Sequence, residues 1–168
     1  MSTEKNGFKM HKDFFDRCTF AIENQFYMEA ILMEYAAIES RLETMLGLLG
    51  APCNKFIDSN LRRGINVSQR IKCISKERQS NAVFNKSKLP FKFFPDLAKW
   101  ISKRNEYIHG LFKDEIKYTS RIAKSCEFSI QGLEFARLLY NEVSRIKRLV
   151  KKDPNIIEST HCQQKCKV

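Results

Sequence analysis

Turn-forming residues are scarce in this chain, with 4 prolines and 6 glycines among 168 residues. Sparse punctuation favours long elements. No stretch alternates apolar and polar residues with period two for long, and no glycine-rich loop follows a strand-like run, so neither a sheet nor a phosphate-cradling loop is expected. No apolar run approaches the roughly 20 residues that a membrane span requires. The nearest, YMEAILMEYAAI, is interrupted by Glu29 and Glu34. The opening MSTEKNGFKMHKDFF lacks the basic-then-apolar order of a secretory signal. At the other end Cys166 stands third from the terminus, whereas a prenylation box places its cysteine fourth. A soluble, cytoplasmic protein without membrane association is expected.

The cysteines, at 18, 53, 73, 126, 162 and 166, read as free thiols in a reducing compartment rather than as a disulfide framework. Cys18 and Cys126 fall on helix cores, where cysteine behaves as a small apolar residue. HCQQKC at 161–166 offers one His and two Cys, but a zinc site needs about four ligands and no second half is present. No metal or cofactor is expected.

What the chain has in abundance is positive charge: 30 Lys and Arg against 19 Asp and Glu, a net +11. A field of that sign favours polyanions, with nucleic acid first, an acidic membrane surface second and an acidic protein third. Many small basic proteins bind nothing specific, so charge alone decides little.

A helical repeat runs almost unbroken over 12–49. Ile31, Tyr35, Ile38, Leu42, Met45 and Leu49 alternate spacings of four and three, one face of a long helix, and GAP at 50–52 ends it. A shorter helix fits 65–79, with Val67, Ile71 and Ile74 inward and Arg70, Lys72, Lys76 and Arg78 outward. Residues 81–96 read as a connector. Pro95 suits the first turn of a third helix reaching about residue 112. A fourth spans 118–150 on Ile122, Cys126, Ile130, Leu133, Ala136, Tyr140, Val143 and Ile146. The expected organisation is a flexible N-terminus at 1–11, a helical domain at 12–150 and a loose basic, polar tail at 151–168. The fold class is all-α, a four- to five-helix up-down bundle.

The third helix carries the anomaly. On a helical wheel of about 100° per residue, Leu97, Trp100, Ile101, Tyr107, Ile108, Leu111 and Phe112 share an arc of about 140°, an ordinary core stripe. Arg104 falls inside it. Asn105 and His109, four residues apart, stack along its edge. An unpaired buried guanidinium is expensive, so Arg104 needs a carboxylate, a polar cleft or another subunit. The architectural alternative is a salt bridge to Glu34 or Glu39, with His109 serving only last-turn carbonyls.

The segment RNEYIHG, an arginine and then a histidine five positions on with a polar residue directly after the arginine, resembles the motif of the HEPN superfamily. The order of elements over about 12–150 is similar to that family as well. The resemblance implies a HEPN-like bundle and, in many members, a metal-independent endoribonuclease that works as a homodimer, two motifs facing one cleft. Toxin and antiviral-defence settings go with it, and so does an antitoxin or other regulatory partner. Carried over, Arg104, Asn105 and His109 are the catalytic set. The other implied role for the fold is a non-catalytic module that binds nucleotides or RNA, or dimerises. Members silenced by tyrosine modification carry Tyr two residues after the His; here that position is Leu111.

The chemistry suits the assignment. Attack of an RNA 2′-OH on its own phosphate needs a base, an acid and charge stabilisation, with a 2′,3′-cyclic phosphate as product. Histidine, whose ordinary pKa is about 6.5, moves protons near neutral pH, and arginine steadies the phosphorane. Of the 3 histidines, His11 and His161 lie toward the chain ends, so a second useful one has to come from a second copy. Arg62, Arg63, Arg70, Lys72 and Lys76 read either as an RNA-tracking wall or as a solvated helix face. In FNKSKLPFKFF, Phe84, Phe91, Phe93 and Phe94 either dock the connector or stack bases.

Overall fold

Five α-helices follow one another, with no strand among the described residues, the all-α class expected of an up-down helical bundle. The structure, a computed structural model, describes residues 3–49, 66–111 and 118–156. The helices are α1 (Thr3–Glu23), α2 (Tyr27–Leu48), α3 (Val67–Ser80), α4 (Phe93–Leu111) and α5 (Tyr118–Lys152), with 3-10 turns at Ala82–Phe84 and Pro154–Ile156. α1 begins within the stretch expected to be a flexible terminus. Cys53, Arg62, Arg63, Phe112, His161, Cys162 and Cys166 lie outside the described residues.

The single helix expected over 12–49 is two helices. Gln25 adopts a left-handed conformation, φ 64°. The Phe26 N–H then donates to the Ala21 carbonyl at 2.7 Å and the Gln25 N–H to the Ile22 carbonyl at 3.1 Å. These are the paired bonds of a Schellman cap, which glycine usually makes. Glutamine makes this one, at a steric cost of roughly 1 kcal/mol. Without Gly or Pro at the break, the apolar repeat runs through it and hides it. Beyond the cap Ile31, Ile38, Leu42, Met45 and Leu49 are buried as expected. Tyr35 is only half-buried, and Glu34 takes the inner position beside it.

The chain forms two compact units, Met1–Ile38 with Lys99–Arg137 and Glu39–Ala98 with Leu138–Val168. In the first, Trp100 is the hub. Its indole N–H donates to the Phe128 carbonyl at 3.0 Å, and its ring stacks on Phe128 with centroids 5.0 Å apart. Gly132 makes this possible, because a Cβ there would sit 2.2 Å from Glu34 Oε2 and 2.4 Å from the Trp100 ring. Ile130, expected inward on α5, is exposed, and Ser129 is buried instead. The Ser129 hydroxyl donates to the Cys126 carbonyl at 3.0 Å, which satisfies the buried hydroxyl.

Glu34 is wholly buried, and neither of its carboxyl oxygens has a hydrogen-bond partner. Burial pushes its pKa up to about 9, so the group is neutral at pH 7. Burial and then Glu34 likewise push the Cys18 thiol up to about 12, against the pull of Arg137.

The second unit is fastened by arginines that reach backbone carbonyls. Arg145 forms a two-pronged pair with buried Glu142, at 3.0 and 2.7 Å, and donates to the Val83 carbonyl at 2.7 Å. Arg78 donates to the Leu89 and Pro90 carbonyls at 2.7 and 3.0 Å and lies over the Phe94 ring. Asn66 and Gln69 close a capping box at the start of α3. Asn81 ends that helix, its N–H donating to the Glu77 carbonyl, and its side chain accepts from the Val83 N–H to start the 3-10 turn.

Two outcomes follow from this core. Gln25→Gly relieves the left-handed strain and raises stability by up to about 1 kcal/mol, a rise of roughly 2–4 °C in Tm, readable by thermal melts. For Glu34, the unfolded carboxyl has its ordinary pKa of 4.5 and the native one about 9, so the native state holds the extra proton between them. The stabilisation is full below pH ~4.5 and drains away as pH rises toward ~9. Glu34→Gln removes that slope and at pH 8 is the more stable chain by on the order of 3 kcal/mol. Parallel urea-unfolding profiles from pH 5 to 9 for the two chains contradict this account.

Candidate functional site

The site is built on the second half of α4. Its stripe is fully buried at Phe93, Phe94, Leu97, Trp100 and Ile101. It then opens: Arg104, Tyr107 and Ile108 are half-buried, and Asn105 and His109 are exposed. Arg104 therefore does not sit in sealed hydrocarbon. It occupies the centre of the stripe where the stripe reaches the surface.

The guanidinium of Arg104 lies over the Tyr35 ring, 4.2 Å from its centroid, a cation–π contact worth roughly 0.5–2 kcal/mol. Its Nη1 donates to Asn105 Oδ1 at 3.1 Å. Its Nε is buried with no hydrogen-bond partner. The salt bridge to Glu34 or Glu39 is absent: Glu34 has no partner, and Glu39 approaches Arg70 Nη1 at 3.7 Å. Among the described residues no carboxylate comes within ion-pair distance of Arg104.

This geometry has a chemical consequence. With the Asn105 oxygen accepting from Arg104, its amide turns two N–H donors outward. Arginine is likewise a donor only. The pair presents positive charge and N–H groups with no acceptor among them, which suits an oxyanion. His109 stands one turn further on, in the last turn of α4, exposed and within reach of the same edge. Tyr107 is tied inward, its hydroxyl hydrogen-bonded to that of Ser125. Tyr35, whose spacing matches the core positions of α2, is half-buried and serves as the platform for Arg104.

A cleft of about 710 Å³ opens beside this helix, lined by Lys103, Tyr107, Glu127, Phe128, Ile130, Gln131 and Glu134. Its two glutamates make it a poor seat for phosphate. Among the described residues no group of three or more His, Cys, Asp or Glu side chains could hold a metal ion.

The suggested RNA wall divides. Arg70 is held on its own unit by the Glu39 carbonyl at 3.3 Å and by the Glu39 and Glu43 carboxylates at 3.7 and 3.6 Å. Lys72 and Lys76 are exposed. Arg62 and Arg63 lie outside the described residues. Of the four phenylalanines in the connector, Phe84, Phe93 and Phe94 are buried and Phe91 is 91% exposed. Compared with family models, curated proteins and solved structures, the chain matches none.

Replacing Arg104 separates architecture from function. Arg104→Met keeps a long apolar stem against Tyr35 and removes the stranded Nε, so thermal unfolding shifts by less than the equivalent of about 1 kcal/mol. A loss of about 3–5 kcal/mol is the signature of a buried ion pair being broken and would count against the geometry described.

Proposed function

We propose that the chain is a HEPN-type endoribonuclease that acts as a homodimer without a metal. The observation that carries this reading is Arg104: a cation at the centre of an apolar stripe, resting on Tyr35 and bonded to Asn105, with no carboxylate among the described residues to neutralise it. A phosphate supplies the missing charge. Leu32, which is exposed, lies one turn before Tyr35 on α2, and half-exposed Ile108 lies one turn after Arg104 on α4. An apolar margin around a polar motif suits a seam between copies.

In this mechanism His109 of one copy takes the proton from the RNA 2′-OH as its oxygen attacks the adjacent phosphorus. Arg104 and Asn105 donate to the non-bridging oxygens as charge accumulates there. The histidine of the second copy protonates the departing 5′-oxygen. The bond from phosphorus to that oxygen breaks, leaving a 2′,3′-cyclic phosphate and a 5′-hydroxyl. The toxin or antiviral-defence setting, and any antitoxin or regulatory partner, rest on the resemblance of RNEYIHG alone.

One feature favours the alternative of a module that binds nucleotides or RNA without cutting. Among the described residues no hydrogen bond orients the His109 ring, and the Asn105 oxygen is already engaged by Arg104.

Labelled single-stranded RNA incubated in EDTA distinguishes them. The wild type cuts it to cyclic-phosphate ends, His109→Ala loses at least 100-fold in rate with an unchanged circular dichroism spectrum, and Arg104→Ala loses both affinity and rate. Binding without cutting by either protein leaves the module; neither binding nor cutting overturns both readings.

A further inference from the structure

A second feature, in the other compact unit and independent of the RNA reading, is a groove of about 550 Å³ between α3 and the start of α4. α3 contributes Gln69, Lys72, Cys73, Lys76 and Gln79 to it, and α4 contributes Pro95 and Ala98. Its base is made of small or apolar groups. Ile71 and Phe94 close it from below, both buried, and Cys73 is half-buried. Among the described residues no carboxylate lines it.

The charges along its edge differ from those elsewhere on α3. Arg70 and Arg78 are consumed by carboxylates and backbone carbonyls. Lys72 and Lys76 are exposed, and neither forms an ion pair among the described residues. Four residues apart, they stand on one face about 6 Å from each other along the axis. From Gln69 to Gln79 the groove follows about 15 Å of helix, the length of roughly three helical turns.

We propose that this groove docks an acidic amphipathic helix of a partner protein, about three turns long. Its apolar face would lie on Cys73, Pro95 and Ala98, and glutamates or aspartates four apart would meet Lys72 and Lys76. A helix laid in a shallow apolar channel is an established mode of recognition, and small residues at the base let a backbone come close. A second copy meeting this face through the same face would set Lys72 and Lys76 against their own counterparts, which argues against self-docking here. Chemistry argues against a nucleic-acid strand, because single strands are held by stacking on exposed rings, and the one aromatic ring among the described lining residues, Phe94, is 2% exposed.

The test uses the full chain and a fluorescein-labelled synthetic helix with leucines on one face and glutamates four apart beside them, read by anisotropy. Lys72→Glu/Lys76→Glu weakens binding at least tenfold, and a peptide with lysines in place of the glutamates restores it. Ala98→Trp, an exposed substitution that fills the channel, weakens it to a similar degree. Lys151→Glu/Lys152→Glu, at the end of α5, changes it less than twofold. Thermal melts establish that each variant folds, and Lys72→Gln/Lys76→Gln replaces the reversal if it does not. Equal binding of a peptide with serines for leucines, or indifference to Ala98→Trp, reduces the surface to bare charge and overturns the proposal. So does a single-stranded RNA that displaces the peptide and shows the same losses with both variants.

Discussion

A guanidinium in the middle of a helix's apolar stripe has to be received by something other than hydrocarbon, and in α4 the receiver is an aromatic face. Tyr35 carries Arg104 at 4.2 Å, and the ring stabilises the cation without neutralising it. That distinction governs the site. A carboxylate partner would close the charge off and make the arginine a fastener, as Glu142 does for Arg145. A ring leaves the positive charge in place and facing outward, with Asn105 as its hydrogen-bond acceptor among the described residues.

Arginine and lysine divide the remaining work along the same physical line. The planar fork of arginine satisfies several acceptors at once, and Arg70, Arg78 and Arg145 each reach at least one backbone carbonyl. Lysine is a point charge on a flexible stem and is more readily left to solvent. Lys72 and Lys76 follow that rule. On α3 the arginines are engaged in this way, and the charged groups left wholly outward there are Lys72 and Lys76.

The helical class, the inward face of α3, that of α2 apart from Glu34 and Tyr35, and the start of α5 were legible from apolar spacing. The break between α1 and α2 was not, because it depends on a left-handed glutamine where sequence signals look for glycine. The inward turn of Ser129 in place of Ile130 was equally hidden. A hydroxyl bonded to its own helix passes as a small residue, and polarity patterns count it as outward. At the site, the position of Arg104 on the stripe was readable from the wheel. Its receiver was not, since periodicity cannot distinguish a tyrosine that fills a core from one whose face supports a cation.

Glu34 and Tyr35 are neighbours on α2, and their different fates fit together. Glu34 turns into the core beside Trp100 and Gly132, where burial keeps it protonated. A neutral carboxyl needs no counter-ion, so the core accepts Glu34 without drawing a cation inward after it. Tyr35, the next residue and only half-buried, offers its ring face to Arg104 instead. One position of difference on α2 thus separates a group that the core neutralises from one that supports a charge at the surface.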